Sequence, residues 1–411
     1  MTQIGLRRRT RRGAFPLLVL TAAFALVATA CGGGGGGGSS AATPTPGSSA
    51  GAQNAIKVGA IVDLTGASSV LGATQKEGAN FAVHQINSQG GIDGKQLQVD
   101  YCDTRSGTVG GSQCADQFSS LSTPLVLGMA ALPGTQGALP HLGNDFVPTV
   151  LPVLFPKQGT NVFQTTSQES DLIKTFVDAM QKAHKTKVGV MYTTDATGTA
   201  QLEALKKGAE PAHITVNAQP MSPGATDVTT QLVQLRQAGS DVLFLATLGN
   251  PTNVILSSYR TLNMSTPVVV GAGAVTNGFL SSLQSAGGIP SKLYGLSNFA
   301  QGSTGLTSAE KTAWDKLSKD YKSSTGHPID GQTASAYYVT CVAAAVLENA
   351  GAGASAQQMS TWLSSHPVNC LGANLTFNQV PGLNVVTGQP AALAQAGKSA
   401  SQGWQPLSSG L

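Results

Sequence analysis

Short apolar runs alternate with longer stretches whose apolar residues recur every three or four positions, and the alternation repeats from Ile56 onward. It is clearest at its start. Ile56-Lys57-Val58-Gly59-Ala60-Ile61-Val62-Asp63 reads as a buried strand. A loop of small residues follows, Leu64-Thr65-Gly66-Ala67-Ser68-Ser69. Next comes an amphipathic helix with Gly78, Ala79, Ala82, Val83 and Ile86 on one face. Ser88-Gln89-Gly90-Gly91 ends it, because glycine takes the left-handed cap that other residues resist. A tight turn, Ile92-Asp93-Gly94-Lys95, leads into Gln96–Asp103, where Leu97, Val99 and Tyr101 alternate with polar neighbours. Strand, helix and strand make one βαβ unit. Ligands of open α/β sheets lie beyond the carboxyl ends of the strands, so the loop at 64–72 is the first candidate binding wall.

Downstream, Pro124–Gly128 reads as a third strand, and the loop Met129–Thr135 leads to a helix start. Phe146–Leu151 is a short strand whose proline, lacking an N–H, favours a sheet edge or the strand's first residues. Val162–Thr166 reads as a crossing segment. Helices at 170–185, 200–209, 227–237, 253–262 and 277–285 alternate with strands at 187–192, 214–218, 241–246 and 268–270. Leu293–Phe299 reads as a second crossing. Helical stretches at 308–321, 333–347 and 356–363 precede a β-like, glycine-rich tail from Leu375. The fold class is α/β, with parallel sheets flanked by helices on both faces. A chain of 411 residues exceeds what one core supports, so two domains are expected.

The first 54 residues carry no such pattern. Residues 1–13 are basic, Ala14–Ala30 is apolar, and Ala28-Thr29-Ala30 precedes Cys31. This is the layout of a signal peptide over 1–30. A cysteine directly after the small residues resembles a bacterial lipobox, which implies acylation of Cys31 and an extracytoplasmic, lipid-anchored protein. Thr10-Arg11-Arg12-Gly13-Ala14-Phe15 also resembles a twin-arginine signal, so the export route stays open. Residues 31–54, seven glycines followed by Ser, Ala, Thr and Pro, form a flexible tether. The net charge of +4 misleads. Without the first 30 residues, which hold five arginines and no acid, the balance is 19 basic to 20 acidic groups. No global field then favours nucleic acid.

Six scattered histidines form no HExxH or Cys/His cluster, so no metal is expected. There is no G-x-S-x-G elbow, and Gly271-Ala272-Gly273-Ala274-Val275-Thr276 lacks the last glycine of a dinucleotide fingerprint. The chain is accordingly read as a non-enzyme without a cofactor. Asp63, Asp103 and Asp195 end strands and could orient a ligand, although turn and cap chemistry accounts for each equally well. Arg105 also follows a strand end. A carboxylate clamp and a solvated loop arginine are its two readings.

Val58-Gly59-Ala60, Thr65-Gly66, Gly78-Ala79, Ala82-Val83 and above all Ile86-Asn87 with Gly90-Gly91-Ile92-Asp93-Gly94-Lys95 resemble the opening of the type I periplasmic binding proteins. The similarity runs from about Ile56 to Phe377, within the branch of leucine/branched-chain amino-acid receptors. It implies two Rossmann-like lobes joined by a three-segment hinge, with ligand held between them. Lobe one would take about 55–165 with 299–370, and lobe two 166–298 with 371–411. It also implies a monomer that captures a small solute for an ABC permease in the membrane, the lobes closing by hinge motion. The alternative is a sensor presenting its ligand to a membrane receptor.

Receptors of this type hold the α-carboxylate with Ser/Thr and backbone amides, hold the ammonium with an acid of lobe two, and cover the ligand with tyrosines. By the same resemblance those tyrosines fall at Leu71 and Thr197, and the serine at Leu132-Pro133. The threonine turn falls at Pro152-Val153-Leu154-Phe155, and the acid at Gly273. The candidate ligand-binding set is Ser68, Ser69, Leu71, Ala131, Leu132, Val153, Phe155, Thr197, Leu248, Asn250 and Gly273. It suits an apolar or uncharged solute better than an α-amino acid, since an ammonium buried without its carboxylate is costly. Besides Cys31 the chain has Cys102, Cys114, Cys341 and Cys370, and four cysteines allow three pairings. The expected one is Cys102–Cys114, joining a strand end to the next helix, with Cys341–Cys370 tying two C-terminal segments of lobe one.

Overall fold

A computed structural model describes residues 55–121, 123–143, 145–149, 161–297, 307–380, 383–387, 391–407 and 411. The signal peptide, the tether, Cys31, Val153 and Phe155 lie outside these residues. The described residues form two sheets. The first is built on β1 (Ala55–Val62), β2 (Gln96–Asp103), β3 (Val126–Gly128), β4 (Val147–Thr149) and β5 (Val162–Gln164). The second is built on β6 (Lys187–Thr193), β7 (Thr215–Met221), β8 (Val242–Ala246), β9 (Val268–Val270) and β10 (Leu293–Ser297). Within each set neighbouring strands run parallel.

Helices cover both faces of both sheets. They are α1 (Ser69–Ser88), α2 (Thr108–Phe118), α3 (Leu132–Ala138), α4 (Glu169–Lys182), α5 (Ala196–Ala209) and α6 (Thr229–Gln237). After them come α7 (Asn250–Thr261), α8 (Asn277–Ser285), α9 (Ser308–Thr325), α10 (Gly331–Asn349) and α11 (Ala356–Ser365). The two-residue period of a strand divides its side chains between the two cores. In β1, Val58, Ala60 and Val62 join a core with α1, α9, α10 and α11, while Ile61 joins α2 and α3 on the other face. In β8, Leu243 and Leu245 face α6, α7 and α8, whereas Val242, Phe244 and Ala246 face α4 and α5.

The opening βαβ unit forms as its pattern predicts. Gly78, Ala79, Ala82 and Ile86 are buried, and Gly90 and Gly91 take φ of +105° and +72° after the helix. Gly78 has a packing role as well. A Cβ there would sit 2.2 Å from the Thr333 carbonyl oxygen, so α1 and α10 touch backbone to backbone. Pro148 is the second residue of β4, which lies inside the sheet between β3 and β5 and not at an edge. Both crossing segments turn out to contain strands. Val162–Gln164 is β5 of the first sheet, and Leu293–Ser297 is β10 of the second. Position 299 and the rest of 298–306 lie outside the described residues.

The tail corrects one expected boundary. The resemblance puts residues 371–411 in lobe two as a whole and β11 (Val368–Cys370) in lobe one; β11 does extend the first sheet, but so do β12 (Ala373–Val380) and β13 (Leu383–Thr387). β13 runs parallel to β5, with Asn384 opposite Phe163. Leu375 and Phe377 enter the first lobe's core. Only β14 (Ala392–Ala396) and β15 (Trp404–Pro406) extend the second sheet, where β14 lies antiparallel to β10. The boundary came from the family resemblance, and alternating apolar residues could not correct it, because they identify a strand without identifying its partner.

The structure forms both disulfides, Cys102–Cys114 between β2 and α2 and Cys341–Cys370 between α10 and β11. Among the described residues no helix is long and apolar enough to cross a membrane.

Candidate functional site

The carboxyl ends of β1 and β3 in lobe one and of β6, β8 and β9 in lobe two face one another, and the loops leaving them meet across a cleft. Ala67 and Gly249 mark the contact. Gly249 caps α7 at φ +71°, and a Cβ there would lie 1.9 Å from the Ala67 carbonyl oxygen. A Cβ on Gly278 of α8 would lie 2.8 Å from the Val70 side chain of α1. The lobes are therefore closed on each other.

From lobe one the cleft receives the start of α1. Ser68 is buried at the cap position, and its N–H donates to the Ser106 hydroxyl at 3.0 Å. Ser69 is half-buried, and Leu71 is buried. Ala131 and Leu132, buried at the start of α3, arrive beside them. From lobe two come Thr197 in the first turn of α5, Leu248 before α7, the exposed Asn250 at its first residue, and Gly273 in a 3-10 turn, Ala272–Ala274. A Cβ on Gly273 would sit 2.6 Å from Leu248 Cδ1, so these two share one patch. Val153 and Phe155 lie outside the described residues.

The strand-end acids hold the loops together. Asp63 is fully buried and accepts from the Ala131 N–H at 2.7 Å and from the Thr104 hydroxyl. Burial pushes its pKa up, against the pull of those two bonds. Asp103 accepts from the N–H groups of Leu64, Thr65 and Arg105 at 2.9, 3.1 and 2.8 Å. Burial raises its pKa, but the bonds from Thr65, Arg105 and Leu64 outweigh that and hold it below the usual carboxylate range. Asp195 caps α5, accepting from the Gly198 N–H at 2.9 Å and the Thr193 hydroxyl at 2.9 Å. Turn and cap chemistry is thus the role these acids fill. Arg105 is an exposed loop residue whose guanidinium donates to Gln113 Oε1 at 3.0 Å.

A buried amide network crosses the lobe junction, and the sequence reading missed it. Gln332 of α10 donates to the Ala272 carbonyl of lobe two at 2.8 Å and accepts from Gln75 of α1 at 3.1 Å. Gln201 of α5 lies against Gly271, where a Cβ would be 3.0 Å from its Nε2. Gln201 Oε1 and Gln75 Oε1 are buried, without a hydrogen-bond partner among the described residues. A usable signal existed. Gln75 falls on the same helical face as Ala79, Ala82 and Ile86, and Gln201 falls one turn before Leu205. Nearby, the Asp330 carboxylate of lobe one accepts from the Asn277 N–H of lobe two at 2.7 Å. Among the described residues no group of three or more His, Cys, Asp or Glu side chains could hold a metal ion.

The sequence profile of a family described as periplasmic binding protein matches residues 55–400. The Leu/Ile/Val-binding protein homolog 3 of Brucella melitensis is 27% identical over 207 residues, 49% of this chain and 56% of that relative. The chain thus spans little more than half the length of the curated relatives it first matches, 56% of this one and 58% of the Leu/Ile/Val-binding protein homolog 8 sequences of Brucella. Among solved structures, the branched-chain amino acid substrate-binding protein LivJ of Streptococcus pneumoniae, in complex with isoleucine, superimposes with a TM-score of 0.70. It is 20% identical, and the match covers 86% of this chain and 99% of that one. A solute-binding protein of R. palustris in complex with benzoate gives 0.69 at 16% identity, covering 85% and 96%. At such identities the likeness establishes the two-lobed fold.

Proposed function

The chain belongs to the periplasmic binding protein family, and from that premise we propose that it captures a small solute between its lobes on the extracytoplasmic face and delivers it to an ABC importer. The observation carrying this reading is the closed cleft itself, in which loops at the carboxyl ends of two parallel sheets meet at Ala67 and Gly249. The relatives' Leu/Ile/Val-binding names and the isoleucine-bound neighbour support a guest of amino-acid size.

The guest is proposed to be apolar or uncharged. Asp63, Asp103 and Asp195 spend their oxygens on the protein's own N–H and O–H groups. A glycine, Gly273, stands where the resemblance puts the acid for an ammonium. Leaving an ammonium buried without its partner costs roughly 3–5 kcal/mol. Leu71, Leu132 and Leu248 offer apolar contact, and Gln201 Oε1 is an acceptor for one N–H or O–H of the guest. The benzoate-bound neighbour supports a fold able to enclose a molecule with a large apolar body and no ammonium. Calorimetry with leucine, isoleucine and benzoate tests this. The two amino acids are expected to bind more weakly than about 0.1 mM. Submicromolar leucine binding would overturn the proposed guest class and leave the transport reading standing.

The anchor is proposed to be a lipid on Cys31. Cells expressing the full chain with a labelled fatty acid should yield labelled, membrane-bound protein. Cys31→Ala should release unlabelled protein from the membrane fraction, and label persisting in that variant would refute the assignment.

A further inference from the structure

On lobe one a groove of about 580 Å³ opens between α11 and the β12–β13 hairpin. It lies at the end of the sheet away from the cleft. Asn384, near the start of β13, donates through Nδ2 to the carbonyl of Val162, the first residue of β5, at 3.1 Å. Both strands run parallel toward the cleft side. A molecule in the groove therefore leaves the cleft free.

The chemistry of its walls is unusually uniform. The helical wall presents Gln357, Ser360, Thr361 and Ser364, a stripe at i, i+3, i+4 and i+7. The sheet wall presents Asn378, Gln379 and Asn384 beside the Phe377 ring, which packs edge-on against Phe163 at 5.4 Å. Among the described residues no ionisable group lines it. Ser360 is only 2% exposed, and among the described residues its hydroxyl has no hydrogen-bond partner. A serine within a helix ordinarily bonds back to the preceding turn. A buried hydroxyl left without that bond in the wall of a groove is a group for a ligand to satisfy.

We infer that this groove binds a neutral saccharide. An ionic ligand would find nothing to neutralise it, and an apolar one would strip water from hydroxyls and amides without replacing their bonds. A sugar offers many neutral donors and acceptors, and acetamido groups match the side-chain amides. The volume falls in the range of small-ligand pockets.

The test is a titration of the isotopically labelled folded chain with N,N′-diacetylchitobiose and, separately, maltotriose, followed by amide chemical shifts. At least one sugar should shift amides within 357–365 and 377–380, with affinity on the order of millimolar. Thr361→Lys places a charged chain at the exposed mouth, and Ser360→Ala removes the orphan hydroxyl. The first should weaken binding by about tenfold or more, and the second should weaken it measurably. The inference fails if neither sugar shifts these amides, if the shifts fall only on cleft residues, or if Thr361→Lys binds as the wild type does. Leucine, isoleucine and benzoate should leave these amides unmoved whatever they do in the cleft, so the two readings fail separately.

Discussion

Replacing Gly249 with alanine is expected to lower affinity at the cleft by about a hundredfold or more while leaving both lobes folded. The Cβ would arrive 1.9 Å from the Ala67 carbonyl oxygen, with the Ala67 carbonyl carbon at 2.9 Å. Backbone atoms cannot move aside as a flexible side chain can, so the lobes must part by about 1.5 Å to restore van der Waals contact. Closure around a guest is then lost, and a ligand can favour the closed form only by the contacts it gains there. The substitution also imposes strain within lobe two, because Gly249 has φ +71°. Gly239→Ala separates the two effects. Gly239 has φ +72°, and a Cβ there meets only Lys187 Nζ, at 3.8 Å. Gly239→Ala should lose about 1–2 kcal/mol of stability, and Gly249→Ala more, because its ψ of −137° puts it in a region nearly exclusive to glycine. Only Gly249→Ala should lose calorimetric binding of whichever probe the wild type takes, and only it should show a larger radius of gyration in scattering when that probe is present. Binding within twofold of Gly239→Ala would show that the Ala67–Gly249 contact does not govern closure.

The same contact explains what the sequence does and does not disclose. The opening βαβ unit is legible because three signals agree there: two-residue alternation, a helical face from Gly78 to Ile86, and the Gly90-Gly91 stop. The start of α8 at Asn277 is legible as well, with Thr276 bonding the Phe279 N–H at 3.0 Å. Placement is harder to read. β12 and β13 alternate like any strand, and it is the pairing of β13 with β5 and the packing of Phe377 on Phe163 that assign them to the first sheet. In the cleft, loop positions such as Ser68, Ala131 and Leu248 follow from strand ends. Gln332 and Asp330 do not, because a polar residue in a helix or before one reads as solvated until the other lobe covers it. Glycine is ambiguous for the same reason. Gly249 reads as a turn residue, and nothing local reveals that another backbone presses on it.

Asp330→Ala is expected to destabilise the protein by roughly 2–4 kcal/mol, counting a lost helix cap of about 1 kcal/mol and a buried N–H left unpaired at 1–3 kcal/mol. The carboxylate, 2% exposed, accepts from the Thr333 N–H of its own helix at 2.9 Å and from the Asn277 N–H of lobe two at 2.7 Å. Asp330→Asn divides these roles. Its single oxygen still caps α10, while its NH₂ faces the Asn277 N–H, donor against donor. That variant should keep most of the helix stability and open the lobe junction, seen as faster hydrogen exchange at Asn277. The pH dependence follows from the same burial. Burial lifts the Asp330 pKa above the ordinary 3.8, with the bonds from Thr333 and Asn277 pulling it back and Glu77 adding repulsion. The folded chain therefore keeps this proton to a higher pH than the unfolded chain. The group's contribution to stability is full below the unfolded value and falls as pH rises through the folded one. Other charged groups facing this junction, the Glu77–His327 pair at 3.1 Å among them, are the same in both proteins. The stability of the wild type minus that of Asp330→Asn should thus decline from acid toward neutral pH in denaturant titrations. A difference that grows with pH would mean that the hydrogen bonds outweigh burial and that the carboxylate is held below its ordinary pKa.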